Sequence, residues 1–219
     1  MSTKGSANSA SSAKRRRSLA TRQDIIQATI ACFIEIGYFR TTTTEIAKKA
    51  AVTRGAVQHY FPTTNHVLEA SIEYLQDTWL KAYFDAIKNT PPGRDSIDFA
   101  VDNLWKFVND PLYVAWQELV AASRTNVELR EIIEPAAARY EQARREVVRS
   151  SYPEFREADQ AKFSRNREMM QFLLEGMSFS ILTYDAEERV QSQLAGLKEI
   201  LHQVWEPETS EHKIELKSK

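Results

Sequence analysis

The sequence predicts an all-α protein, and three observations carry that prediction. Six glycines and seven prolines in 219 residues are roughly half the usual share, too few for turn-rich β folds or collagen. Apolar residues recur at spacings of three and four through most segments, the period of an amphipathic helix, and no segment shows the alternation of a half-buried strand. With 42% hydrophobic and 27% charged residues, the chain has the means to build a core and does not read as disordered.

The elements follow in order. Residues 1–18 combine small polar residues with the basic run Lys14, Arg15, Arg16 and Arg17 and read as a disordered basic arm, because they offer little apolar surface to bury. From about Thr21 a helix places Ile26, Ile30, Phe33 and Gly37 on one face, with Gly37 as a left-handed stop. Thr42 and Glu45 form a capping box for a short second helix, which turns Ile46 and Ala47 inward. Thr53 caps a third helix that runs to about Phe61, where Pro62 ends it. Residues 19–64 are thus a three-helix domain. Thr63 or Thr64 opens a longer helix to about Lys88, broken by the Asn89, Pro91, Pro92 and Gly93 cluster. Further helices are expected at 94–109, 111–125, 128–150 (kinked or restarted at Pro135), 159–184 and 187–205. Residues 65–206 form a second, helical domain, and 207–219 a charged tail.

The net charge of −1 hides an asymmetry. Residues 1–62 carry ten Lys and Arg against three Asp and Glu, a surplus of +7, whereas residues 63–219 carry 19 against 27, a deficit of −8. A basic first part suggests an anionic partner. Five of the positive charges lie before residue 18, so the helical part of 1–62 is only weakly basic. The single cysteine, Cys32, excludes a disulfide within the chain, and no Cys/His spacing suggests a metal site. We expect neither metal nor cofactor. The four histidines are scattered, with no nucleophile elbow and no Gly-rich phosphate loop, so no enzyme is expected. Without an apolar run of membrane-spanning length or a secretory signal, the expectation is a soluble, cytoplasmic chain.

The segment from Gly37 to Pro62, GYFRTTTTEIAKKAAVTRGAVQHYFP, holds two short helices about three residues apart, the spacing of a helix-turn-helix. The second has the chemistry for the major groove, where every base pair shows a distinct donor and acceptor pattern. Thr53, Arg54 and Gly55 lie at a helix N-terminus, whose N–H groups and dipole attract phosphate. Gln58 and His59 offer hydrogen bonds, and Tyr60 a hydroxyl. Arg16 and Arg17 in the arm extend the footprint toward the neighbouring minor groove.

Over about residues 21–70 the sequence resembles the tetracycline-repressor (TetR) family of transcriptional regulators. The resemblance rests on Ile25, Ile26, Ala28, Phe33, Gly37 and Tyr38, on Thr41, Thr42, Ile46 and Ala47, and on Val52 to Val57 with Tyr60, Phe61 and Pro62. It implies that Thr42 and Thr53 are phosphate-anchoring caps, that Tyr60 contacts phosphate, and that Thr44, Arg54, Gly55 and Gln58 reach the groove. Two positions depart from the family pattern. Ala51 stands where the inter-helix turn usually has glycine, and Gln58 stands where tyrosine is common. A glutamine amide pairs bidentately with adenine, which a phenol cannot do. Cys32, where leucine is common, reads as buried packing.

Beyond residue 70 the resemblance is one of architecture. It implies a homodimer through the last two helices, with Met170, Leu173, Met177, Leu194, Leu197 and Leu201 at the interface, and two recognition helices reading a pseudo-palindrome. Trp79, Trp105, Tyr113, Trp116 and Phe172, with Glu118 and Glu175, suffice to line an apolar cavity with a polar rim, although such residues also suit an ordinary core. By resemblance, the chain is expected to be a ligand-responsive, sequence-specific repressor, released from double-stranded DNA by a small apolar or aromatic effector. The rival reading is an architectural DNA-binding dimer with no effector.

Overall fold

The computed structural model describes residues 4–89, 95–151, 157–183 and 187–204, and the regular structure among them is entirely helical. In chain order it comprises α1 (Lys4–Ile36), a 3₁₀ turn η1 (Tyr38–Arg40), α2 (Thr43–Lys49), α3 (Arg54–Tyr60), α4 (Thr64–Lys88), α5 (Ser96–Val108), α6 (Pro111–Ser123), α7 (Val127–Ser151), α8 (Glu157–Ile181) and α9 (Glu187–Val204). No helix among the described residues is long and apolar enough to cross a membrane.

Two elements differ from the sequence expectation. The basic run Lys14–Arg17 lies on a helix, because α1 already begins at Lys4. Alanine, lysine and arginine are good helix formers, and an extension of an anchored helix avoids the cost of nucleation. Proline at 135 does not restart a helix: α7 is continuous through that position. Pro135 is exposed, so water can satisfy the carbonyl that its missing N–H would have bonded. The expected break at Tyr152 and Pro153, the whole of the Pro91–Gly93 cluster and the tail 207–219 fall outside the described residues.

Local chemistry sets the helix ends. Asp95 Oδ1 accepts the N–H groups of Ile97 and Asp98 at 2.9 and 3.0 Å, and Asp110 Oδ1 accepts that of Leu112 at 2.8 Å ahead of Pro111 at the first helical position. Asn126 Oδ1 accepts the Leu129 N–H at 3.0 Å to start α7. The preceding α6 ends where the Arg130 guanidinium donates to the carbonyls of Ser123 and Arg124.

The chain groups into two compact units, one from residues 1–85 and 110–153, the other from 86–109 and 154–219. This grouping does not follow the boundary expected after residue 64, because α1 packs on α6 as well as on α2, and α6 packs on α7. The first unit buries Ile25, Ile26, Ile30, Cys32 and Phe33 of α1 together with Ile46, Ala47, Val57, Phe61, Val67 and Leu68. The Thr29 and Ser71 hydroxyls inside it donate to the carbonyls one turn back, at 2.8 and 2.7 Å. Burial pushes the Cys32 thiol up, so it stays neutral and packs as a small apolar group.

In the second unit α8 and α9 each pack on α5. Val101, Leu104 and Val108 of α5 are buried, as are Met170 and Leu174 of α8 and Leu194, Leu197 and Leu201 of α9. Lys198 Nζ lies 2.7 Å from Asp102, and His202 Nε2 lies 3.2 Å from Asp98 and 3.4 Å from Asp95, so α9 is tied to α5 at polar positions also.

The first unit contains one expensive group. The Arg144 side chain is 1% exposed and is held by Glu141, Nε to Oε2 at 2.9 Å and Nη2 to Oε1 at 2.5 Å. For Glu141, burial alone would raise the carboxyl's pKa. The hydrogen bonds and charges of Arg144 and Arg145 outweigh burial and hold it below its ordinary value of 4.5. A carboxyl depressed on folding stabilises the fold above its unfolded pKa and ceases to do so as pH falls through the lower, folded value. Glu141→Gln should therefore cost roughly 3 kcal/mol at pH 7, the low end for breaking a buried pair because Glu141 is half-buried. In urea titrations across pH, the gap between variant and wild type should close below about pH 4; a gap independent of pH would refute the assignment.

Candidate nucleic-acid interface

The turn between α2 and α3 is built from backbone hydrogen bonds. Ala50 closes α2 with its N–H on the Ile46 carbonyl, Ala51 follows at φ +53°, and the Val52 N–H returns to Ala47 O at 3.0 Å. This is a Schellman turn with alanine in the left-handed position, where the Cβ meets the following carbonyl at a cost. The departure at Ala51 therefore leaves the turn's left-handed geometry in place, with the cost stored as local strain.

The helix N-termini use the expected threonines. Thr42 Oγ1 accepts the Glu45 N–H at 3.3 Å, and Thr53 Oγ1 accepts the Ala56 N–H at 3.1 Å. A hydroxyl that accepts from its helix with a lone pair keeps its proton to donate outward. Both threonines are exposed, as are Thr44, Arg54, Gly55, Gln58 and His59, while Val57 alone of α3 is buried. The helix thus turns one residue into the core and presents Arg54, Gly55, Gln58 and His59 on the open side. A Cβ added at Gly55 would meet only Thr53 Oγ1, at 3.9 Å, so packing within the chain does not demand glycine there. Tyr60 is half-buried, its ring edge-on to His59 at 5.3 Å. Behind α3, the Arg22 guanidinium lies 5.0 Å over the Phe61 ring. Arg16 and Arg17 are exposed on the N-terminal part of α1.

Two residues that sequence reasoning did not weigh as functional, Tyr38 and Asn126, join this segment to α6 and α7. Gly37, at φ +76° and ψ 165°, ends α1 with positive φ but extended ψ, unlike the expected left-handed helical stop. The following Tyr38 N–H donates to Glu118 Oε1 at 3.0 Å, and its hydroxyl accepts from Asn126 Nδ2 at 3.3 Å. Burial raises the Tyr38 pKa, the nearby Glu128 charge adds to that and the Asn126 bond opposes it, so the hydroxyl remains protonated. A Gly-Tyr pair after an amphipathic helix was the available signal; its partner 80 residues away was not.

Of the expected effector residues, Trp79, Tyr113 and Trp116 come together. Trp79 is buried and meets Tyr113, Trp116 and Tyr140 edge to face at 5.5, 6.0 and 5.9 Å. Glu118 is engaged by Tyr38. Trp105, Phe172 and Glu175 belong to the other unit, where Phe172 is exposed and Glu175 accepts from Gln171 Nε2 at 2.7 Å. None of the seven lines the cleft of about 630 Å³ between α4 and α7, whose walls include Ile72, Leu80, Ala136 and Tyr140 together with the charged Glu69, Glu73, Asp77, Glu131 and Arg139.

Residues 25–71 match the family model described as bacterial regulatory proteins, tetR family. Over this segment the chain is similar to the tetR family. The HTH-type transcriptional regulator BetI of Yersinia pestis (strain Pestoides F) is 43% identical over 54 residues, 25% of this chain and 27% of BetI. The match therefore spans about a quarter of the curated relative. A transcriptional regulator from Rhodococcus sp. Rha1 shares the fold with a TM-score of 0.61 at 17% identity, covering 83% of this chain and 96% of that one. FadR from Bacillus subtilis, solved in complex with stearoyl-CoA, does so at 0.58 and 18%, covering 82% and 96%. The matched segment contains α2, the turn and α3 whole.

The strain at Ala51 is testable. Ala51→Gly should raise stability by about 0.5–1 kcal/mol, the left-handed penalty relieved less the extra entropy of glycine in the unfolded chain. Thermal unfolding reads this as a rise in Tm, and an unchanged or lower Tm would mean the turn is unstrained.

Proposed function

We propose that the chain is a transcriptional repressor that reads a pseudo-palindromic DNA operator with α3 and leaves it when a small effector binds. The observation that carries the reading is the exposed face of α3. Arg54, Gly55, Gln58 and His59 stand clear of the core beside two helix N-termini capped by exposed threonines. Threonine caps and Tyr60 fix register on phosphates, Arg54 reaches into the groove, and Gln58 reads a base edge. Arg16 and Arg17, carried on α1, add sequence-independent attraction.

A homodimer supplies the second half-site. Met170, Leu194, Leu197 and Leu201 are buried within this chain, which leaves them unavailable to a partner. The face that remains is the neighbouring stripe of α8, where Met169 is 64% and Phe172 67% exposed and Leu173 and Phe179 about half so. These positions recur at helical spacing, and Gly176 between them has nothing within 4 Å of a would-be Cβ, so close approach of another helix is sterically open. The effector reading is supported by the cleft between α4 and α7 and by the Trp79 cluster behind it, through which Tyr140 reaches both. The FadR complex with stearoyl-CoA shows that one relative of this fold holds a small molecule. An effector that favours a conformation with displaced α3 helices weakens DNA binding by its differential affinity for the two states.

Selection of bound sequences from random duplex DNA tests the DNA reading. Two-fold related half-sites are expected, and failure to enrich any motif would overturn it. Gln58→Ala should relax preference at one position per half-site, at about 1–3 kcal/mol, whereas Tyr60→Phe should weaken all sequences alike. Phe172→Glu should turn a dimer into a folded monomer in light scattering. By contrast, Leu194→Ala should cost roughly 2–5 kcal/mol of fold stability and leave association intact.

A further inference from the structure

Three contacts converge on Tyr38, between the helix-turn-helix and the pair α6 and α7. Its N–H donates to Glu118 Oε1 at 3.0 Å, its hydroxyl accepts from Asn126 Nδ2 at 3.3 Å, and its ring lies 6.3 Å from that of Phe33 at the end of α1. The contacts reach across 80 and 88 residues of sequence. Asn126 is itself committed, since its Oδ1 caps α7 on the Leu129 N–H. The Glu118 carboxylate stands so close to the backbone that a Cβ at Gly37 would come within 2.8 Å of Oε1. Gly37 is therefore required twice, for its φ of +76° and for this approach. Glu118 lies in the interior of α6, where it serves no cap, and its half-buried carboxylate makes a charge-assisted bond stronger than a neutral one.

We propose that Glu118 is a positioning residue for operator binding. Its carboxylate holds η1 and the end of α1 on α6, and through them sets α2 and α3, so that movement of α6 or α7 is transmitted to the DNA-reading face. The inference rests on α3 being that face. It adds to the direct covalent path from α3 into α4 a second path, through a hydrogen bond that can be made or withdrawn. Such a bond gives the interface two discrete arrangements, which is what coupling between distant sites requires. Asn126 joins the start of α7 to the same tyrosine, so α6 and α7 both bear on one residue.

Hydrogen exchange followed by mass spectrometry, on the full chain free and bound to the selected duplex, tests this. In the free protein, Glu118→Ala should speed exchange at residues 38–42 about tenfold or more, as expected for loss of a hydrogen bond to a charged group, and leave 25–33 unchanged. Glu118→Gln keeps an oxygen acceptor and should stay close to wild type. On duplex binding, wild type and Glu118→Gln should slow at 42–60 and also at 118–130, far along the chain from the reading helix. Glu118→Ala should keep the first slowing and lose the second. Equal slowing at 118–130 in Glu118→Ala and wild type, or none in wild type, overturns the proposal. If wild type binds no duplex, the DNA reading fails instead, and the free-protein comparison decides: unaltered exchange at 38–42 in Glu118→Ala overturns the positioning role. Should Glu118→Ala not fold, Tyr38→Phe removes only the bond to Asn126. It should show a smaller loss at 118–130, and full wild-type slowing there overturns the proposal.

Discussion

The orientation of α3 depends on the buried face of α1. A seven-residue helix with a single buried residue, Val57, has neither the length nor the apolar surface to hold itself in place. The same is true of α2, which buries only Ile46 and Ala47. Both borrow rigidity from Ile25, Ile26, Ile30 and Phe33, whose helix is long enough to pack on α2 at one side and α6 at the other. Fixing α1 thus fixes the short helices, and the threonine caps and the strained turn at Ala51 set their remaining freedom. Because α1 also leans on α6, α2 and α3 answer to the rest of their unit.

Charge is distributed to match these roles. Most of the surplus positive charge stands before residue 18 on the N-terminal part of α1, so the remainder of the helix-turn-helix is nearly balanced. On the proposed reading, register on DNA then depends on directional groups, helix N-termini and hydroxyls, more than on a general positive field. Elsewhere charges tie helices together. Lys198 and His202 fasten α9 to α5, and Arg144 with Glu141 puts a guanidinium inside the first unit, where an unpaired charge would be intolerable. On the same reading, the excess of acidic residues after residue 62 keeps that part of the surface from competing for phosphates.

Much of this was legible in the sequence because it is local. Amphipathic period, caps and proline stops act within four or five residues, and so α2, the turn, α3 and the ends of α4 to α6 lie close to where the sequence put them. Errors arose where local signals were silent about context. The residues before Thr21 looked too polar to fold, yet they continue a helix that is already anchored. Pro135 looked like a break, yet it sits on an exposed face of α7. The stripe Leu194, Leu197 and Leu201 is buried where α9 packs on α5, and an apolar stripe by itself does not say which surface covers it.

By itself the sequence determined an all-helical chain, a helix-turn-helix with Thr42 and Thr53 as caps, and an α3 face of Arg54, Gly55, Gln58 and His59. Each of these follows from interactions between near neighbours along the chain. Only the tertiary structure decided that Glu118 faces Tyr38 rather than a ligand, that Trp79 gathers Tyr113, Trp116 and Tyr140, and which side of α8 stays uncovered. Those outcomes depend on residues tens of positions apart meeting in space, and burial is a property of the whole packed unit that no local pattern contains.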